Sequence, residues 1–215
     1  MASWIIHLAI AVKVSDVFDL NNNRFYLGNL LPDSTLGRRI IKEKTHFRTE
    51  FSFDNISNST DVKYYDYNKF LHKYQGKIFD DLHLGYFAHL FADEVWAHKI
   101  YEKYMRDEYG NKKLDQQSNY YHDYDILNEI VFKKYDLNVL EILNGMRTVH
   151  LVNEIDEIEI DDIPRIYQSL TQYSKETYED ATLVLFDEED ILEFIEYTAD
   201  EIVKAIMDRG LREKK

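Results

Sequence analysis

The residues best placed to do chemistry sit in the segment Leu84-Gly85-Tyr86-Phe87-Ala88-His89-Leu90-Phe91-Ala92-Asp93-Glu94-Val95-Trp96. His89 and Asp93 are four residues apart, so on a helix both project from one face. Gly85 lies one turn earlier on that face and leaves room beside them. The rest of the segment is mostly apolar, and a charge buried there needs a partner. A lone His-x3-Asp is equally a self-contained hydrogen-bonded pair, so further residues decide the reading. His7 interrupts an apolar run, Asp33 follows Pro32, and His46 stands in Lys44-Thr45-His46-Phe47. His122, Asp125 and Glu129 share one helical face by their spacing. Each has a plainer explanation: a core histidine for His7, a helix cap for Asp33, an ordinary core or surface histidine for His46, and a solvated face for the last three. Taken together, imidazoles and carboxylates from separate elements suit Zn²⁺, Fe or Mn²⁺, and the seven metal candidates are His7, Asp33, His46, His89, Asp93, His122 and Asp125. His98 is ambiguous. His72, His83 and His150 read as structural or surface residues.

Helices must position these groups. Seven Gly and two Pro in 215 residues leave few breakers, which favours long helices over sheet turns. Ser3 is a suitable N-cap for a helix over 4–14. Residues 25–34 read as an ordered loop or short helix, with Pro32 disfavouring helix at Leu31. Residues 45–62 look irregular. A helix is expected over 67–74, then a long one from Asp80 or Asp81 to about Tyr109, ended by Gly110 and Asn111. Further helices follow at about 120–135, 137–145 and 164–174, the last with Pro164 in its first turn. The acidic stretch 154–162 reads as a surface segment. The final helix spans about 188–209, with Ile191, Phe194, Ile195, Ala199, Ile202 and Ile206 at helical spacing. The expectation is an all-α, single-domain bundle. Residues 1–135 would hold the metal-site core, and 136–215 would complete it.

Composition removes several function classes. The net charge is −14, with 40 acidic against 26 basic residues. Non-specific binding to duplex nucleic acid needs a basic footprint that this chain lacks. Attraction to anionic lipid surfaces is disfavoured for the same reason. There is no cysteine, so disulfides, Cys-type zinc sites and thiol nucleophiles are excluded. The apolar start, residues 4–12, lacks a basic leader and a convincing cleavage site, and it is too short to span a membrane. The expected location is cytoplasmic.

The order of His7, Pro32-Asp33, Thr45-His46-Phe47, Gly85-x3-His89-x3-Asp93 and His122-Asp123-x-Asp125 resembles the zinc-dependent phospholipase C family of bacteria and the related P1-type nucleases. The similarity covers about residues 1–135, and its most specific piece is the Gly-x3-His-x3-Asp helix. The resemblance implies an all-helical fold holding up to three zinc ions. Asp33, His46, His89 and Asp93 would ligate one ion, and His7 would join a second with Asp93 bridging. His122, with Asp125 or Glu129 and His98, would hold a third. Two departures stand out. Trp4, where the family uses a processed N-terminal Trp amine, is preceded by three residues, and position 126 is Ile rather than acidic.

Three functions follow as expectations. The first is a metal-dependent phosphoester hydrolase acting on a phosphodiester or phospholipid-like substrate with one to three Zn ions (or Fe or Mn), in which Asp33 orients or deprotonates the attacking water. The second is a His-Asp-type phosphohydrolase, although the only His-Asp doublet, His122-Asp123, lies late in the chain. The third is a non-catalytic helical binding or scaffold protein. Its 17 Tyr and 12 Phe would line a groove, although aromatics at this density more often pack the core.

Overall fold

The computed structural model describes residues 2–35, 43–47, 65–175 and 181–215. The irregular segment expected at 45–62 lies almost wholly outside them. Helix α1 (Trp4–Ser15) starts where Ser3 accepts from the Ile6 amide. It is apolar on nearly every side and buried from Trp4 to Ala11, so it must be surrounded rather than laid on a surface. Four helices surround it: α2 (Asn22–Leu30), α4 (Asp81–Trp96), α6 (Gln117–Lys134) and α9 (Glu188–Asp208). Ser3 Oγ also donates to Asn128 on α6, pinning the start of α1 to that neighbour.

Between these lie shorter elements. A 3₁₀ turn, Leu31–Asp33, continues α2, and α3 (Tyr67–Lys73) packs on α4. Helix α7 (Val139–Met146) covers α2, and α8 (Ile163–Tyr173) packs on α7, with Pro164 in its first turn. Among the described residues there is no strand, only the isolated bridges Phe18–Lys214 and Arg106–Lys112. The all-α expectation holds at this level. No described helix is long and apolar enough to cross a membrane.

Two glycines let α2 and α4 approach closely. A Cβ on Gly28 would fall 2.0 Å from the Leu82 carbonyl oxygen, and one on Gly85 would fall 2.0 Å from that of Phe25. Helices α2 and α4 therefore meet backbone to backbone, and no side chain larger than hydrogen fits at either crossing point.

Two expectations need correction. The central helix does not run to Tyr109: α4 ends at Trp96, a π-helical turn spans Ala97–Tyr101, and α5 (Glu102–Met105) closes the run. The wider turn shifts the phase of the buried face, so that Trp96, Ala97 and Ile100 are followed inside by Met105. Gly110, with φ +80°, belongs to the turn beyond it. The acidic stretch 154–162 is not merely surface. Glu157 and Asp162 are buried, and Glu157 accepts from Lys73 Nζ at 2.6 Å and from the Tyr74 hydroxyl at 2.7 Å. Asp123 on α6 is buried too, and its carboxylate accepts from the amides of Val184, Leu185 and Phe186, holding the loop that leads into α9.

Candidate metal centre

The contact between α2 and α4 positions the site. It brings the Asn29 carbonyl, at the end of α2, to 2.7 Å from His89 Nδ1 on α4. The 3₁₀ turn after α2 carries Asp33. The turn at 43–47 carries His46 and is held by Tyr86, whose hydroxyl donates to the Thr45 carbonyl. Helix α1 contributes His7, whose ring stacks on that of His89 with centroids 3.8 Å apart. Five of the seven metal candidates thus converge from four elements: His7, Asp33, His46, His89 and Asp93. None is more than 2% exposed. The main-chain N–H of Ala2 also reaches this cluster, donating to Asp93 Oδ1 at 3.1 Å.

The distances are close to uniform. His46 Nε2 lies 3.4 Å from Asp33 Oδ1 and 3.5 Å from Asp93 Oδ2. His89 Nε2 is 3.6 Å from Asp93 Oδ2 and 3.3 Å from His46 Nε2. His7 Nε2 is 3.3 Å from Asp93 Oδ1. Ligand atoms of His46, His89 and Asp93 form one compact group, and those of His7, Asp33 and His89 form another.

Tautomers follow from the partners. His89 Nδ1 faces a carbonyl oxygen, which only accepts, so this nitrogen carries the proton. Thr45 donates its hydroxyl proton to the Pro32 carbonyl at 2.8 Å, so Thr45 Oγ1 accepts from His46 Nδ1 at 2.9 Å. In its neutral form each ring turns its Nε2 lone pair toward the cluster, where the two nitrogens stand 3.3 Å apart with an Asp93 oxygen alongside. Among the described residues, His7 Nδ1 and Nε2 and Asp93 Oδ2 are buried with no hydrogen-bond partner. Unsatisfied buried groups of this kind are uncommon and costly.

Burial, then the neighbouring His89, pushes the His7 imidazolium down. Burial likewise lowers His46 to about 4, against the opposing pull of Asp33 and Asp93. Both rings are neutral near neutral pH, which is the form that ligates metal. Burial alone would raise the Asp93 carboxyl, but hydrogen bonds from His7 and His89, when their Nε2 carries a proton, hold it well below the usual carboxylate range.

The donor set fits a divalent transition ion. Tetrahedral Zn²⁺ with bonds of about 2.0–2.1 Å separates its ligand atoms by roughly 3.3–3.4 Å, close to the spacings seen here. The imidazoles are also oriented from behind by a backbone carbonyl and a threonine hydroxyl, as metal-ligating histidines generally are.

The other candidates lie elsewhere. His122 is exposed on α6, and Asp125 is half-buried; neither joins the two ligand groups. Glu129 pairs with Lys133 at 2.6 Å. His98 is exposed on the π-turn between Glu94 and Glu102. His72 and His150 are exposed. His83 is buried beside Asp80, a carboxylate three residues before it that the sequence reading passed over. Sequence reasoning also missed Asn29, Thr45 and Ala2. Two of these act through main-chain atoms and leave no side-chain signal. Comparison with protein-family models, curated proteins and solved structures gave no match to this chain.

Proposed function

We propose that this chain is a metal-dependent phosphoester hydrolase of the phospholipase C and P1 nuclease kind, with Asp33, His46, His89 and Asp93 as the principal ligands and His7 beside them. The observation that carries the metal reading is the buried convergence of His7, Asp33, His46, His89 and Asp93, with His46 and His89 Nε2 3.3 Å apart. A cation satisfies the orphaned Asp93 oxygen. When bound, zinc or a similar divalent ion supplies Lewis-acid polarisation of a phosphoryl oxygen. Asn29 and Thr45 fix the two imidazoles. Asp33 orients a water and takes its proton as the phosphoester is attacked, and the ordering of Asp93 by the Ala2 amide keeps its carboxylate facing the cluster. The hydrolase step itself rests on the resemblance in residue order.

One observation favours a second reading. Every ligand is at most 2% exposed, and catalytic zinc sites keep an open position whereas structural ones are closed. In that reading the ion knits α1, α2 and α4 together and no ester is turned over.

Elemental analysis of the purified chain beside His89→Ala and Asp93→Asn, with turnover of bis(4-nitrophenyl) phosphate, separates the two. Bound metal with chelator-sensitive turnover supports the hydrolase. Bound metal without turnover, together with a lower Tm on chelation, supports the closed structural centre. Wild-type protein that takes up no zinc, iron or manganese sinks both.

A further inference from the structure

The π-turn closes the central helix early, and the chain beyond it leaves a cavity of about 160 Å³ against the first turns of α6. Tyr101, Tyr120 and Tyr121 form its aromatic wall. Tyr101 and Tyr121 both meet the Tyr120 ring edge to face, with centroids 6.1 and 5.7 Å away. The Tyr120 hydroxyl accepts from the buried Trp96 indole at 2.9 Å and bonds Tyr124 at 2.6 Å, so this ring is held from behind where it borders the space. Leu114 and Tyr121 also line it and stay 72% and 59% exposed. Two large side chains left open around one hollow mark a place that a guest can cover. Gln117, exposed on the first turn of α6, adds a side-chain amide with both donor and acceptor. Lys112 and Lys113 border the cavity as well, and both are engaged already, Lys113 with the Asp107 carboxylate.

We infer that this cavity binds one small uncharged aromatic ring with a hydrogen-bonding group on its edge, phenol being the simplest case. The volume matches one ring: an apolar cavity of about 150 Å³ accommodates benzene. Edge-to-face tyrosines favour an aromatic over an aliphatic guest, because ring quadrupoles reward offset and T-shaped contact. The Gln117 amide gives the polar edge of the guest a partner. A charged guest would give up its hydration for a wall whose lysines are committed elsewhere, so the neutral form is selected. Few polar groups around an apolar hollow is the usual form of a small-molecule site. The inference does not rest on the metal centre, whose ligands lie outside this wall.

The test uses the full-length chain treated with chelator, so that binding through a metal is removed, and 4-fluorophenol as the probe in ¹⁹F NMR at neutral pH. The probe line is expected to shift and broaden, with a dissociation constant on the order of 1 mM. Phenol should displace the probe at least about fivefold more effectively than cyclohexanol or benzoate. Tyr121 and Gln117 are exposed, so their replacement leaves the core packing alone, and an unchanged urea midpoint checks this. Tyr121→Ala should weaken 4-fluorophenol binding roughly fivefold. Gln117→Leu should weaken it by a similar factor, roughly fivefold, while leaving fluorobenzene binding unchanged. Three outcomes overturn the inference: no change in the probe line, cyclohexanol or benzoate displacing the probe as well as phenol does, or wild-type affinity in both variants.

Discussion

Helix α4 carries two buried histidines six residues apart, and their surroundings could hardly differ more. Around His83, a guanidinium stands among the acceptors. Its Nδ1 faces Asp80 at 3.4 Å and its Nε2 faces the Glu154 carbonyl at 3.2 Å. Arg24 bridges Asp80 at 2.8 Å and Glu154 at 2.6 Å. Two carboxylates meet one guanidinium, whose Nε is left without a partner among the described residues. Around His89, three imidazoles and two carboxylates gather, and among the described residues buried atoms of His7 and Asp93 are left over. The first cluster carries its own cation; a metal ion would play that part in the second.

Four experiments would break or sharpen this contrast. The largest effect is expected from Gly85→Ala, which forces α2 and α4 apart and disrupts both regions at once. A loss of about 3 kcal/mol or more in urea unfolding, with loss of metal uptake, is anticipated from such overpacking; a near-native denaturation midpoint would show that the helices yield easily. Next come Arg24→Ala and Asp93→Asn in metal-free protein. Removing Arg24 strands two carboxylates and should cost about 2 kcal/mol without changing metal stoichiometry. Replacing Asp93 removes a ligand, so zinc uptake on re-addition should be lost. Equal zinc uptake by the two variants would erase the distinction drawn here.

The pH response should separate the regions as well. The His46 imidazole, at about 4 when folded, lies below the ordinary histidine value of 6.5. Its contribution is therefore complete above pH 6.5 and is lost as pH falls toward about 4, where the unfolded chain takes up a proton that the folded one refuses. Asp80 is displaced the other way round. Burial raises it, but His83 and Arg24 hold it well below its usual 3.8, so its contribution persists to lower pH and is lost only as pH falls through the depressed folded value. Thermal melts of metal-free protein should lose stability between pH 6.5 and 4, and His46→Gln should flatten that interval only. The smallest effect is expected from Thr45→Val, which frees the His46 tautomer. Zinc affinity should fall roughly tenfold with little change in unfolding, and unchanged affinity in a competition titration would remove Thr45 from the centre.

Much of the architecture was legible because helices write their burial into nearby residues. The apolar run after Ser3, the stripe ending at Ile206 and the Pro164 start all appear as helices close to their expected bounds. Five of the seven proposed ligands also converge, since His89 and Asp93 share a face and His7 breaks an otherwise apolar helix. What escaped was long-range or carried by the main chain. Asp123 stood out only as half of the His122-Asp123 doublet, but its partners are amides some sixty positions away. Glu157 looked like surface because Lys73 and Tyr74 are remote in sequence. The π-turn leaves no mark in a pattern read at 3.6 residues per turn.

The grip of Asp123 on the Val184, Leu185 and Phe186 amides has a bearing on how the molecule opens. These amides sit in a loop, where exchange with solvent deuterium is ordinarily fast. Here they are tied to the middle of α6, so they can be released only when that helix detaches or the entry to α9 unwinds. The connection before the last helix should therefore exchange together with α6 as one cooperative unit, making α6 and α9 partners in opening although a long stretch of chain separates them.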